Sequence, residues 1–224
     1  MNFDRVAWSY RWLEYVAFGR ALERSRFVFL DGLGDVRRAL IIGDGDGRFT
    51  AALALRNRTV HIDSIELSGR MIRLASGRLI KQRVYNPDRI RLIEGDIRSV
   101  SLPNKDYDLV ATHFVFDVFR DLDLRLVVGR VNSVVSQRCR WAVSEFDIPQ
   151  HGWRHAHAAS WVKIMYFFFR CAARLDTPSL PNWRAGLEDH GFACIHSETA
   201  RAGLIRSELW QLAPGAIPLR KHPG

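Results

Sequence analysis

Cysteine is scarce in this sequence: Cys139, Cys171 and Cys194 lie far apart, odd in number and without a Cys-x-x-Cys spacing. This excludes a disulfide framework and a cysteine-built zinc site, leaving small buried side chains as the ordinary role. Lysine is scarce too, since only Lys81, Lys105, Lys163 and Lys221 stand among the 33 basic residues. The rest are arginines, spread along the chain in runs no longer than two. The net charge of +9 and pI near 10.1 would draw anionic partners at long range. Affinity for phosphates, however, needs basic residues gathered on one face, and scattered arginines read as coding bias, so a nucleic-acid partner is not expected. Long apolar runs are missing as well. Asp4, Arg5 and Arg11 interrupt the N-terminal segment where a secretory leader would need an apolar core, so a cytoplasmic location is expected. The most apolar helical stretch, 161–172, is too short to span a bilayer and carries Lys163 and Arg170.

What is present fits one large α/β domain of 224 residues, 47% of them hydrophobic. Residues 5–30 read as a helical lead-in with Trp8, Trp12, Tyr15, Val16 and Leu22 on one stripe. From Arg38 onward, short apolar runs alternate with amphipathic stretches, the pattern of βαβ units. The runs predict strands at 38–43, 59–65, 89–94, 107–112, 140–146, 191–199 and 205–212. Helices are expected near 47–56, 68–83, 118–136, 157–174 and 182–190. The last two strands are separated only by a turn around Ala202 and Gly203, which predicts an antiparallel hairpin. The expected organisation is a lead-in over 1–37, a domain over 38–213 and a disordered tail over 214–224. The expected fold is α/β: a seven-stranded, mostly parallel sheet with helices on both faces.

Three strand ends carry chemistry. Ala39-Leu40-Ile41-Ile42-Gly43-Asp44-Gly45-Asp46-Gly47-Arg48-Phe49 runs from an apolar strand into a glycine-rich turn and then a helix. Such a turn lets a ligand lie against bare backbone, and the free N–H groups of the next helix favour a carboxylate or phosphate there. Glu66 ends the second strand, nineteen residues after Gly47, with Leu67 beside it, and an acidic residue there can accept both hydroxyls of a ribose. Asp63, on the same strand, competes for that role. Glu94-Gly95-Asp96-Ile97 ends the third strand and places Asp96 and the Ile97 amide where an adenine edge could bind.

Over about residues 38–148 these features, in this order and spacing, resemble the class I, Rossmann-like S-adenosylmethionine-dependent methyltransferases, in particular the small-molecule branch. The resemblance implies S-adenosylmethionine as cofactor. It assigns the methionine end to Gly43, Gly45 and Gly47, the ribose to Glu66, and the adenine to Asp96 with Ile97. The chain departs from the family's pattern at Ile41, where an acidic residue usually stands two positions before the first glycine. Thr112 and Asp44 are then the substitutes to examine. The same glycine turn also resembles polyamine synthases, although their Asp-rich segment after the fourth strand is missing. A non-catalytic module that keeps the fold is a further alternative. Thr112-His113-Phe114-Val115 stands where nucleic-acid amino-methyltransferases carry an Asn/Asp-Pro-Pro-aromatic motif.

His113 follows the fourth strand, where this family lines its reacting pocket, and an imidazole with an ordinary pKa suits proton removal near neutrality. It is the candidate base; a histidine hydrogen-bonded inside the site wall is the alternative. His151, His155 and His157 cluster after the fifth strand, but Arg154 sits among them and no cysteine or carboxylate set accompanies them, so no metal is expected. The aromatic residues of the lead-in, of loop 149–157 and of the stretch around Phe167 suggest a small, partly apolar acceptor, with core packing or a homodimer interface as other uses.

Overall fold

The computed structural model describes residues 20–147 and 181–214. The expected helix 157–174, the loop 149–157, the first part of the lead-in and nearly all of the tail lie outside them. Seven strands form one sheet: β1 (Arg38–Ile42), β2 (His61–Glu66), β3 (Ile90–Glu94), β4 (Tyr107–His113), β5 (Val135–Phe146), β6 (Phe192–Ala200) and β7 (Ile205–Leu212), in the order β3-β2-β1-β4-β5-β7-β6. Pairs among β1 to β5 are parallel, while β7 runs antiparallel to both β5 and β6. The helices are α1 (Ala21–Phe27), α2 (Arg48–Arg56), α3 (Gly69–Lys81), α4 (Asp121–Asn132) and α5 (Trp183–Glu188).

Strand β1 shows why the sheet is covered on both sides. Leu40 and Ile42 join Val110, Trp141, Val127 and Trp183 in one core, while Ala39 and Ile41 join Phe49, Leu53 and Leu79 in a second. From Ala39 to Ile42 the strand is apolar at every position and buried on both faces, which in a parallel sheet means helices above and below. Burying a side chain of this size removes roughly 1.5–3 kcal/mol of exposure cost, so each core fixes the register of the strands it covers.

Helix starts follow local chemistry. The Ser68 hydroxyl accepts from the Met71 amide at the head of α3, and Arg78 and Lys81 occupy its last turn against the negative end of the dipole. Asp121 and Asp123 sit in the first turn of α4. The expected helix 118–136 is shorter at both ends. Phe116–Val118 is a separate 3-10 turn, and β5 begins at Val135 rather than at 140. The valines at 127, 128, 131, 134 and 135 keep helical spacing across the boundary, so periodicity alone runs through it. Pairing overrides it: Tyr107 lies opposite Val135, and a bulge then brings Leu109 opposite Arg140. Of the lead-in, the described portion is α1 followed by a 3-10 turn at Leu30–Leu33.

The chain reverses direction across the sheet between β1 and β4. β2 and β3 lie to one side of β1, and β4 and β5 to the other. In an open α/β sheet the crevice beyond the strand ends at such a point is where ligands bind.

Candidate active site

The glycine turn sits at that crevice. Gly43, Gly45 and Gly47 all have positive φ, at 67°, 63° and 77°. Gly43 is also required by contact, because a Cβ there would lie 2.6 Å from Cγ2 of Val115. At Gly47 it would meet the Cβ and Cα of Ala75 at 2.7 and 2.9 Å, so the missing side chain lets α2 and α3 approach. Above Gly45 no atom of the described residues lies within 4 Å of the same position. The middle of the turn therefore faces open space while its two ends are packed.

Glu66 closes the turn from the neighbouring strand. Its Oε2 accepts from the Gly45 amide at 3.0 Å and its Oε1 from the Ser68 amide at 3.0 Å. Burial pushes its pKa upward against those two donors, with nearby Asp44 adding to the rise. Each oxygen keeps a lone pair for a ligand hydroxyl, and Leu67 beside it is an exposed apolar side chain. Asp63 is not available for the same task. It is buried and accepts from Arg91 at 2.6 and 3.0 Å, from Asn104 at 2.7 Å and from the Tyr107 hydroxyl at 2.7 Å.

The other expected residues divide by how far their polar atoms are already used. Asp44 is buried and caps α2, accepting from the amides of Phe49 at 3.0 Å and Thr50 at 2.8 Å. Burial raises its pKa. The Thr112 hydroxyl is fully buried and accepts from the Trp141 indole at 3.0 Å. Asp96 is half-buried and chelated by Arg98, whose guanidinium holds its carboxyl below the usual range. Ile97 is buried, and its carbonyl accepts from Arg130 at 3.2 Å. Ile41 is buried in the core with Phe49, so it offers nothing to a charged group.

His113 lies where expected but not in the expected state. It is buried edge-on to Phe49 with ring centroids 4.6 Å apart, and its pKa is pushed down to about 3 by burial and by the Arg26 charge. It is therefore neutral across the physiological range. Its Nδ1 lies 3.1 Å from the Ser144 hydroxyl, which itself donates to the Ser25 carbonyl at 2.9 Å. The Ser144 hydroxyl also lies 3.1 Å from that of Ser207, and when its proton goes to Ser25 it accepts from Nδ1–H, the tautomer that leaves the lone pair on Nε2. Among the described residues Nε2 has no partner.

Sequence reasoning missed a second set of groups. Glu145, on β5, is 1% exposed, and its Oε1 accepts from the amides of Val115 at 2.8 Å and Phe116 at 2.9 Å. Asp117 follows in the same loop. Glu145 Oε2 and Asp117 Oδ1 are sealed from solvent without a partner among the described residues. Burial pushes Asp117 up to about 6, and burial together with the Asp117 charge pushes Glu145 well above its ordinary value. Arg26 of α1 lies 5.4 Å over the Phe114 ring. The one available signal was Glu145 standing as an acid at the end of a strand, next to the apolar Trp141-Ala142-Val143 run.

The fold is a Rossmann-like α/β domain whose glycine turn and Glu66 lie at the reversal point of the sheet. Residues 39–138 match the family model described as "Methyltransferase domain". No curated protein matches the chain. Among solved structures, the mitomycin 7-O-methyltransferase MmcR superposes with a TM-score of 0.67 at 18% identity, over 87% of this chain and 55% of that one. An O-methyltransferase family protein from Burkholderia thailandensis gives 0.65 at 16% identity, over 89% of this chain and 59% of that one. The N-methyltransferase NodS from Bradyrhizobium japonicum gives 0.60 at 14% identity, over 86% of this chain and 97% of its own. The chain thus spans little more than half the length of the two O-methyltransferase structures.

Proposed function

We propose that the chain transfers a methyl group from S-adenosylmethionine to a small, partly apolar acceptor. The observation that carries this reading is the clasp of Glu66 on the Gly45 amide beside open space at the reversal point of the sheet. Glu66 then takes the ribose hydroxyls, with Leu67 against the nucleoside. The glycine turn takes the methionine end, with Asp44 and Thr112 as its polar neighbours in place of an acid at Ile41. Asp96 and the Ile97 backbone take the adenine. When bound, the sulfonium supplies an electrophilic methyl group for in-line displacement, which asks the protein mainly to orient a nucleophile. His113 is part of the wall of this pocket, neutral with its pKa held near 3 and tied through Nδ1 to Ser144, its Nε2 sealed from solvent. The structural neighbour named for methylation of mitomycin supports an acceptor of that size.

A cytoplasmic location belongs to the same proposal and is supported by the free thiols of Cys139 and Cys194. So does a homodimer, for which the exposed Leu122 and Leu126 on α4 offer apolar surface. Among the described residues no helix is long and apolar enough to cross a membrane, and no cluster of ligands could hold a metal ion.

Calorimetry and thermal shift test the cofactor. S-adenosylhomocysteine is expected to bind and to raise the melting temperature by mass action, and Glu66→Ala is expected to weaken binding at least about tenfold. Tighter binding of decarboxylated S-adenosylmethionine than of the parent cofactor would replace methyl transfer with aminopropyl transfer. Unchanged affinity in Glu66→Ala would move the ribose elsewhere.

A further inference from the structure

We infer that Glu145 is a positioning residue for the cofactor site: it holds the loop after β4 so that Val115 seats against the glycine turn. This rests on the methyl-transfer reading above, because the turn is the proposed seat of the methionine end. Three observations converge on it. β4 ends at His113, and Phe114 then takes a φ of +59°, a left-handed conformation that a bulky L-residue adopts only when its surroundings enforce it. The turn is enforced from β5. The Phe114 amide donates to the Ser144 carbonyl at 2.7 Å, and the next two amides, of Val115 and Phe116, both donate to Glu145 Oε1. Val115, so held, fills the space that a side chain at position 43 would need. The glycine of the turn and the valine of the loop are complementary shapes, and the carboxyl group of Glu145 is what keeps them in contact.

The same group is placed to respond to protons. Asp117, one residue beyond the clasped amides, is the charge that acts on Glu145 from its own loop, and Arg26 acts from α1, with neutral His113 on the adjoining strand. While Glu145 is protonated the loop carries one buried negative charge. When Glu145 ionises as well, two like charges with no partner for Glu145 Oε2 or Asp117 Oδ1 push the loop away from β5. Retention of the clasp, and with it the packing of Val115 on Gly43, is therefore greatest below the titration of Glu145 and weakens as pH rises through it.

The test is the affinity of the full chain for S-adenosylhomocysteine, measured by calorimetry from pH 6 upward in the wild type and in Glu145→Ala, Glu145→Gln and Asp117→Asn. Glu145→Ala removes the acceptor of two amides and is expected to weaken binding at least about tenfold, whereas the glutamine oxygen still accepts both and restores the affinity. The wild-type affinity is expected to fall at alkaline pH more steeply than that of Asp117→Asn, in which burial alone still acts on Glu145, and more steeply again than that of Glu145→Gln, whose curve follows only the ligand's own ionisation. Asp117→Asn keeps the clasp intact and carries the pH comparison if the alanine variant does not fold. Equal affinities in the wild type and Glu145→Ala, or superimposable pH curves for wild type and Asp117→Asn, overturn the assignment while leaving methyl transfer standing. Failure of the wild type to bind S-adenosylhomocysteine at all overturns methyl transfer itself, and the assignment with it.

Discussion

At the scale of single residues, burial opposes the charged form of both His113 and Asp117, and their effects on stability run in opposite directions. His113 has a folded pKa near 3 against 6.5 for the free side chain, so its contribution is complete above about 6.5 and is lost as pH falls towards 3. Asp117 has a folded pKa near 6 against 3.8, so the stability it permits is complete below about 3.8 and is lost as pH rises through 6. Between those values the two partly cancel. Asp117→Asn removes the second effect, together with the part of the Glu145 shift that the Asp117 charge causes. It is expected to raise stability at pH 8 by up to about 3 kcal/mol and to change it little at pH 4. Melting temperatures of the two proteins across that range read this directly. A constant difference at both ends would show that the variant acts through packing, with no part played by charge.

At the scale of elements, the glycine turn separates two jobs that a motif alone runs together. Gly47 is closed in by the backbone of α3, and Gly45 faces open space. Both have positive φ, so each alanine variant bears a strain cost of about 1 kcal/mol. Gly47→Ala must also push α3 away and is expected to lose stability by a further 1–3 kcal/mol or so. Gly45→Ala should melt within a few degrees of the wild type yet bind S-adenosylhomocysteine poorly, because its methyl group enters the ligand's space. Equal losses of stability in both would erase the distinction. These elements were the legible ones. β1, the turn, β2 with Glu66, and the terminal hairpin all follow from apolar runs ending in glycine or acid. The start of β5 was hidden because valines continue helical spacing past Asn132. Glu145 was hidden because its task is to hold amides from a loop thirty residues earlier in the chain, a tertiary relation that no local spacing encodes. The neutral state of His113 was hidden for the same reason, since it comes from Phe49, Ser144 and Arg26 closing around the ring.

At the scale of the whole molecule, the order of strands sets an order of events. β6 pairs with β7 alone, and β7 lies between β6 and the rest of the sheet. A ribosome delivers β6 first, so that strand emerges with no docking place and must wait for residues 205–212. Those residues also bring Leu209 to one core and Trp210 and Leu212 to the other. Nascent chains arrested before Leu212 has cleared the exit tunnel should therefore remain sensitive to protease over β5 and β6, and protection should arrive in one step once it has. Gradual protection, beginning with β1 to β5 alone, would show that the first five strands close without the last. If the step is observed, synthesis itself has a checkpoint at the closing of this sheet: a polypeptide truncated within β7 is degraded as a whole, and no half-built sheet with an open edge survives to aggregate.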